Sequence, residues 1–382
     1  MKVALVQDWL TGMRGGEKCL EVLCEMYPDA DIFTLVHHAG SVSPTIERMP
    51  IRTSFIQLLP GSRRRHQIYL PLFPMAIERF DFSGYDLIVS TSHCVAKGAR
   101  RNRGVHVCYC HTPMRYVWEF FDEYFADAPG GALSQAFLRA VVAYLRRWDL
   151  RTLDRVDHFV ANSENVAGRI RKHYGREAEV IYPPVETDFF TPGGDREEFY
   201  LVVSALVPYK RVDLIVDAFR HLRRPLVVVG KGPEERSLRD RAPDWVSFEG
   251  WVDPEALREY YRRCRALVFA GLEDFGIGPV EAQACGTPVV AYGQGGVLES
   301  VRGSWVGEGG EENQEGTATG VFFVEQTPAA LAAAVRSFER MEFDRDALRS
   351  HALGFSREKY RARMTEAIRR QLEGEATPET LL

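Results

Sequence analysis

Glu273 and Glu281 stand eight positions apart in Glu273-Asp-Phe-Gly-Ile-Gly-Pro-Val-Glu281, just after the apolar run at 266–270. Carboxylates placed around a glycine turn are groups for gripping hydroxyls, not for building a core. Pro279 suits the first turn of a helix, where a missing N–H costs nothing, and Gly286-Thr-Pro288 stops that helix before a new strand at 289–292. The helix start points unpaired N–H groups outward, and such groups bind phosphate. Glu273 falls at the carboxyl end of a strand, where ligands of open α/β sheets collect. Phe275, Gly276 and Ile277 form the backbone of the bend. The chemistry favoured is a phosphorylated ligand carrying many hydroxyls. Glu281, expected in the first helical turn, would accept from a ribose diol, and Glu273 from a second polyol. The alternative is a helix-dipole partner at 281 and a solvated loop residue at 273.

Other strand ends carry similar residues. The strand at 3–7 runs into Asp8-Trp-Leu-Thr-Gly-Met-Arg-Gly-Gly-Glu-Lys18, a glycine turn opening a helix. Its glycines, at 12, 15 and 16, do not match G-x-G-x-x-G, which demotes nicotinamide chemistry. Gly15 and Gly16 would let the backbone approach a diphosphate, unless they serve only a turn needing positive φ. Beyond a strand at 200–204, Lys210 and Arg211 are two cations at a helix start, and Lys210 could neutralise a leaving phosphate or simply be solvated. Gly230-Lys-Gly232 closes the next strand, and Phe248-Glu-Gly-Trp251-Val252-Asp253 the one after. One ligand spanning three successive strand ends is the economical explanation.

No metal is expected. His106, Cys108 and Cys110 share one face of a strand, but no second ligand pair accompanies them, as structural zinc requires. His111, at that strand's end, reads as a polar group facing a cleft. Asp29-Ala-Asp31 matches a metal-holding D-x-D, yet after Pro28 it reads as a turn.

These residues need elements to position them. Apolar strand-like runs alternate with helix-length amphipathic segments throughout, the pattern of parallel sheets with crossover helices. Strands are read at 3–7, 31–35, 87–90, 105–109 and 158–161, with helices near 16–26, 135–155 and 163–174. Residues 181–195 hold three prolines and two glycines and read as a linker. A second series follows: strands at 200–204, 226–229, 246–248, 266–269 and 289–291, helices at 211–220, 254–263, 328–340 and 355–372. The stretch 308–319 reads as a mobile loop and 373–382 as a frayed end. The expected domains are 1–185, 186–355, and a helix over 356–382 packing back toward the first. Clefts between two such halves are preferred ligand sites.

The 382 residues, 45% of them hydrophobic, suffice for two cored domains. Seven scattered cysteines argue against a disulfide framework and for a reducing compartment. No secretory leader or membrane span is read. Net charge is −5, divided as 23 Lys+Arg against 20 Asp+Glu in 1–185 and 25 against 33 in 186–382. Basic clusters at 63–65, at Lys97, Arg100, Arg101 and Arg103, and at Arg146, Arg147, Arg151 and Arg155 could meet anionic headgroups or phosphates, or be solvated faces. Nucleic acid is not an expected partner, since no aromatic platform accompanies the arginines.

With these residues in hand, the chain resembles the family 4 retaining glycosyltransferases. The resemblance rests on Gly15-Gly16-Glu17-Lys18, Tyr109-Cys-His111-Thr-Pro113, Ala161-Asn-Ser163, Pro208-Tyr-Lys210, Gly230-Lys-Gly232, Glu273 through Glu281, and Ala284-Cys-Gly-Thr-Pro288. It implies an α/β GT-B fold, two Rossmann-like β/α/β domains facing a central cleft, the first on the acceptor side and the second binding a nucleotide sugar. Within the family it is most similar to bacterial mannosyltransferases of surface polysaccharide assembly.

Carried over by residue, the resemblance implies that Glu281 binds ribose and that Glu273, His111 and the backbone of Phe275, Gly276 and Ile277 lie beside the donor sugar. Lys210 and the loop at Gly15 and Gly16 would hold the diphosphate, and Trp251 and Val252 would lie along the base. The family's arginine beside the phosphates is Ala205 here, so either Arg211 or another cation replaces it, or Lys210 carries more of that duty. The implied reaction transfers a hexose, first guess mannose from GDP-mannose, to a hydroxyl of a glycan or lipid-linked acceptor without a metal or other cofactor. The expected setting is cytoplasmic, at most peripheral to an anionic membrane face. The rival readings are a sugar-nucleotide epimerase of the same fold and a nucleotide-sugar-binding protein without catalysis. An oxidoreductase, or a phosphorylase carrying pyridoxal phosphate, ranks lower.

Overall fold

The computed structural model describes residues 1–119, 121, 131–306 and 318–375. The loop predicted over 308–319 lies outside the described residues up to 317, and the end predicted over 373–382 lies outside them beyond 375. The chain divides into two compact units, Met1–Pro184 with Glu358–Leu382, and Val185–Arg357.

In the first unit, β1 (Val3–Gln7), β2 (Asp31–Thr34), β3 (Ile51–Thr53), β4 (Leu87–Ser92), β5 (Val105–Cys110), β6 (His158–Ala161) and β7 (Ala178–Val180) form one parallel sheet in the order β3-β2-β1-β4-β5-β6-β7. β1, β4 and β5 are buried at every residue. A parallel sheet is covered on both faces by its crossovers, so its inner strands read as apolar runs rather than alternations. Crossovers here include the helices Gly15–Met26 and Glu164–Tyr174. The second is capped by the Ser163 hydroxyl accepting from Val166 N–H and is ended by Gly175 in the left-handed conformation. The helix Arg357–Glu375 packs Tyr360, Met364, Ala367 and Ile368, one face by helical spacing, into the same apolar cluster as Val3, Leu5 and Leu87.

In the second unit, β8 (Tyr200–Val203), β9 (Leu226–Val229), β10 (Val246–Gly250), β11 (Leu267–Phe269), β12 (Val289–Tyr292), β13 (Gly303–Val306) and β14 (Gly320–Phe323) form a second parallel sheet, ordered β10-β9-β8-β11-β12-β14-β13. Val202, Val228, Val268, Val290 and Val321 from its strands share a core with the helices Val212–Leu222 and Pro328–Phe338. The order of strands reverses between β1 and β4 in the first sheet and between β8 and β11 in the second, where the last two strands, β14 and β13, are also exchanged. The loops leaving such a strand pair diverge to opposite faces and open a crevice at the carboxyl ends.

One expectation about surface charge changes at this level. Lys97 is not a surface cation: its ammonium is buried in an ion pair with Asp149 and donates to the Thr152 hydroxyl. Arg101 and Arg155 are likewise paired, with Asp157 and Glu78, whereas Arg100, Arg103, Arg147 and Arg151 remain exposed. A buried ammonium is tolerable only with such partners. His106 lies inside the sheet, its Nδ1 2.9 Å from the Arg155 carbonyl and its Nε2 2.8 Å from the Ser90 hydroxyl. A carbonyl can only accept, so Nδ1 carries the proton and Nε2 receives one from Ser90. All seven cysteines are free and buried, and no helix among the described residues is long and apolar enough to cross a membrane.

Candidate active site

The crevice between β8 and β11 is lined by Ser204, Lys210, Gly271 and Glu273 over an apolar floor that includes Val202, Ile215 and Val268. Lys210 ends the 3-10 turn Pro208–Lys210. A Cβ on Gly271 would stand 3.2 Å from the Lys210 Cα, so glycine lets the two loops approach closely. That approach brings the Lys210 ammonium onto the Glu273 carboxylate as an ion pair. The Glu273 backbone is fixed from behind, its carbonyl accepting from Gly296 N–H at 2.9 Å, and a Cβ on Gly295 would press to 2.6 Å from that oxygen.

The bend after Glu273 enters the helix Ile277–Ala284 through Gly276, whose φ of 89° and ψ of 81° suit glycine. Ser300 donates to the Phe275 carbonyl, and the Gln283 amide donates to the carbonyls of Pro279 and Ser300, which locks the bend. Glu281 is the fifth residue of this helix rather than a first-turn residue, so the dipole argument for it fails: the field is concentrated within one turn of the end. A side chain orients it instead. The phenol of Tyr261, from the helix Pro254–Arg263, lies 3.2 Å from the Glu281 carboxylate, which is 7% exposed. Burial first, and then the Glu281 charge, pushes the Tyr261 phenol well above its usual range, so it remains a donor.

Among the other predicted residues, Arg211 adopts the left-handed region with φ of 54° and turns its guanidinium to Asp213 and to Gln326, whose amide in turn donates to the Ala270 carbonyl. Gly230 and Gly232 answer to packing: a Cβ would fall 1.8 Å from the Ser204 oxygen at one and 2.2 Å from the Leu206 oxygen at the other. They clamp the loop preceding Lys210. Trp251 and Val252 follow β10, and the Trp251 side chain is 71% exposed.

Gly15, Gly16 and His111 lie in the first unit, at its own reversal point. Neither glycine has a positive φ, which removes the turn explanation. Gly16 is instead the floor beneath two side chains, since a Cβ there would meet His111 Nε2 at 3.2 Å and Gln7 Nε2 at 3.4 Å. Both of these buried nitrogens lack a hydrogen-bond partner among the described residues. Burial, with the charge of His93, drives His111 down to about 3, so its imidazole is neutral. Beside it the Asp8 carboxylate, fully buried, accepts from the N–H groups of His93, Cys94, Val95 and Ala96 at 2.7–2.9 Å, and from His93 Nδ1 at 3.1 Å.

Sequence reading missed Tyr261, Gln326, Gly295 and Gly296 in the second unit and Gln7, Asp8, His66 and His93 in the first. A usable signal existed for Gln7 and Asp8, polar residues at the end of a fully apolar strand. The others are brought in by sheet order.

Residues 13–189 match the family described as Glycosyltransferase Family 4, and residues 186–355 match Glycosyl transferases group 1. A D-inositol 3-phosphate glycosyltransferase of Geodermatophilus obscurus is 33% identical over 238 residues, 53% of this chain and 50% of that protein. One from Nocardiopsis dassonvillei is 32% identical over 181 residues, 38% of this chain and 42% of that protein. The chain thus matches about half the length of these curated relatives or less. Among solved structures, Anabaena HepE in complex with UDP superposes with a TM-score of 0.68 at 17% identity, covering 97% of this chain and all of that one. Sucrose-phosphate synthase of Thermosynechococcus elongatus gives 0.69 at 17% identity, covering 98% of this chain and all of that one. The two family matches run without a break from 13 to 355, over every strand of both parallel sheets except β1, and the chain belongs to the family 4 retaining glycosyltransferases of GT-B fold.

Proposed function

We propose that the protein transfers a hexose from a nucleotide-diphosphate sugar to a hydroxyl of a glycan or lipid-linked acceptor, with retention at the anomeric carbon. Mannose from GDP-mannose, used in surface polysaccharide assembly, is the first donor to test. The observation that carries the reading is the joining of Lys210 and Glu273 at the β8/β11 crevice, beside the helix that bears Glu281.

In this reading the bond between the anomeric carbon and the phosphate oxygen breaks, and charge grows on the diphosphate. Lys210, aimed at that charge, lowers the barrier electrostatically; fixed donors of this kind are worth about 3 kcal/mol in other enzymes. Glu273 accepts from sugar hydroxyls and stabilises the cationic ring, while Glu281 holds the ribose. The leaving phosphate takes the acceptor's proton on the same face, so no enzyme nucleophile is assigned. Gly276 and Ile277 at the helix start, with Phe275 before them, offer backbone to the sugar, and Trp251 and Val252 lie along the base. Arg211, occupied by Asp213 and Gln326, is not the replacement for the missing arginine at 205, and Lys210 takes on more of the phosphate. Gly15, Gly16 and His111 are assigned as donor contacts by family resemblance alone.

Anabaena HepE is seen in complex with UDP-glucose and the catalytic domain of a starch synthase of Arabidopsis thaliana bound to ADP, so the base is the variable to screen. A thermal-shift series over GDP, UDP, ADP and their sugars should single out one nucleotide, because a ligand of the native state raises its apparent stability. Incubation of that sugar nucleotide with an acceptor glycoside should then yield a product of unchanged anomeric configuration. No stabilisation by any nucleotide would defeat the proposal.

A further inference from the structure

Outside the residues assigned to the donor, the densest group of unspent polar atoms lies at the β1/β4 reversal of the first unit. His66, from the 3-10 stretch His66–Leu72, is 4% exposed, yet neither ring nitrogen has a hydrogen-bond partner among the described residues. Its ring lies 4.9 Å from that of Trp9, and Trp9 in turn meets the His93 ring edge-on at 4.4 Å. Asp8 fixes His93 through Nδ1, which directs Nε2 away from the carboxylate. Two imidazoles from distant stretches of chain therefore flank one part-exposed indole at the place where an open α/β sheet holds its ligand. Buried polar atoms are normally satisfied, and a whole imidazole left unsatisfied calls for an explanation.

We propose that Trp9, His66 and His93 form a subsite for a neutral sugar ring of the acceptor. The inference rests on the transferase reading and narrows its acceptor to one that presents a sugar. A neutral imidazole offers one N–H donor and one lone pair, and a hydroxyl can answer both. A phosphate group at neutral pH brings negative charge and an excess of acceptor oxygens, which a neutral imidazole with a single N–H neither offsets nor satisfies. Burial, aided by the charges of Arg14 and His93, brings His66 down to about 4, so the ring presented to the ligand is the neutral one. The indole supplies the apolar wall against which the C–H face of a sugar packs, with hydroxyls at the edges for the imidazoles.

The test uses the full chain labelled with 15N-histidine, its His66 and His93 ring signals assigned from His66→Phe and His93→Gln. Methyl α-mannoside, methyl α-glucoside and inorganic phosphate are titrated separately. Movement of the His66 ring nitrogens with a methyl glycoside and not with phosphate is expected. Movement with phosphate alone, or with none of the three, overturns the proposal. In transfer assays to a methyl glycoside, His66→Phe, which keeps the ring packing on Trp9, should raise the acceptor KM roughly ten-fold while nucleotide affinity holds. An unchanged KM in an active enzyme overturns the subsite and leaves the transferase reading standing. Failure of the wild-type chain to bind any sugar nucleotide defeats the transferase reading instead, and the titration still reports on the subsite by itself.

Discussion

The Lys210 ammonium donates to the Glu273 carboxylate, so the cation and the anion assigned to opposite ends of one donor hold each other. On the proposed reading, a diphosphate entering the crevice would compete with Glu273 for Lys210 and release the carboxylate toward the sugar. The two side chains should then respond differently to substitution. Lys210→Ala should lower kcat on the order of 100-fold and also weaken the free nucleoside diphosphate. Glu273→Gln should lower kcat similarly but bind the free nucleoside diphosphate a few-fold more tightly, because Lys210 has lost a competing charge. Calorimetry with the diphosphate separates the two, and weaker binding by Glu273→Gln would refute the competition.

Tyr261 and Glu281 are coupled across two helices by one hydrogen bond in a buried setting. Tyr261→Phe removes the donor and keeps the ring that packs on Phe190. Nucleotide affinity should fall a few-fold as the carboxylate loses its orientation, with kcat retained and stability lowered by about 1 kcal/mol. Glu281→Ala should cost more affinity than Tyr261→Phe. Equal affinities for the wild type and Tyr261→Phe would mean that the phenol serves packing only.

Sequence patterning carried the fold where strands were buried and continuous. Residues 3–7, 158–161 and 226–229 read correctly to the residue because both faces of those strands are covered and the apolar run ends where the sheet ends. β3, β7, β13 and β14 were not found: the first three are three or four residues long on sheet flanks, and Ile51–Thr53 is mostly exposed, so no apolar run marks them, whereas β14 is buried and apolar but only four residues long and follows directly on the stretch read as a loop. Within the crevice, Glu273 and Lys210 were legible because each stands just past a strong strand. Their contact was not, since it depends on β8 and β11 being neighbours although β9 and β10 intervene in the chain. His66 and His93 stayed hidden for the same reason. A histidine in a polar stretch has no pattern of its own until the sheet gathers it.

The glycines that looked alike in sequence should separate on substitution. Gly230 combines a φ of 137° with a Cβ position 1.8 Å from the Ser204 oxygen, so Gly230→Ala strains the backbone and displaces a loop. A loss of stability of about 3 kcal/mol or more is expected, seen as a marked drop in Tm. Gly16→Ala meets only the ends of the His111 and Gln7 side chains at 3.2 and 3.4 Å, with ordinary φ. Its Tm should stay close to that of the wild type while transfer activity falls. A large Tm loss in Gly16→Ala would reassign that glycine from ligand access to folding.

Buried imidazoles, those of His66, His106 and His111, make the fold sensitive to mild acid. Burial, chiefly, holds His106 down to about 3 and His66 down to about 4, below the ordinary value of 6.5 that each recovers on unfolding. The unfolded chain therefore binds more protons, and stability falls as pH drops below about 6.5, continuing until about 4 for His66 and about 3 for His106. At pH 5 each group should have withdrawn about 2 kcal/mol relative to pH 7 or above. Carboxylates move in both directions, Glu17 raised by burial and Glu78 lowered by Trp148 and Arg155, so total acid sensitivity does not isolate the histidines. A difference does. Urea unfolding of the wild type and His66→Phe at pH 7 and pH 5 should show the variant losing about 2 kcal/mol less between the two. Equal losses would mean that His66 is as easily protonated in the folded chain as in water, and the neutral imidazole offered to a sugar hydroxyl would lose its basis.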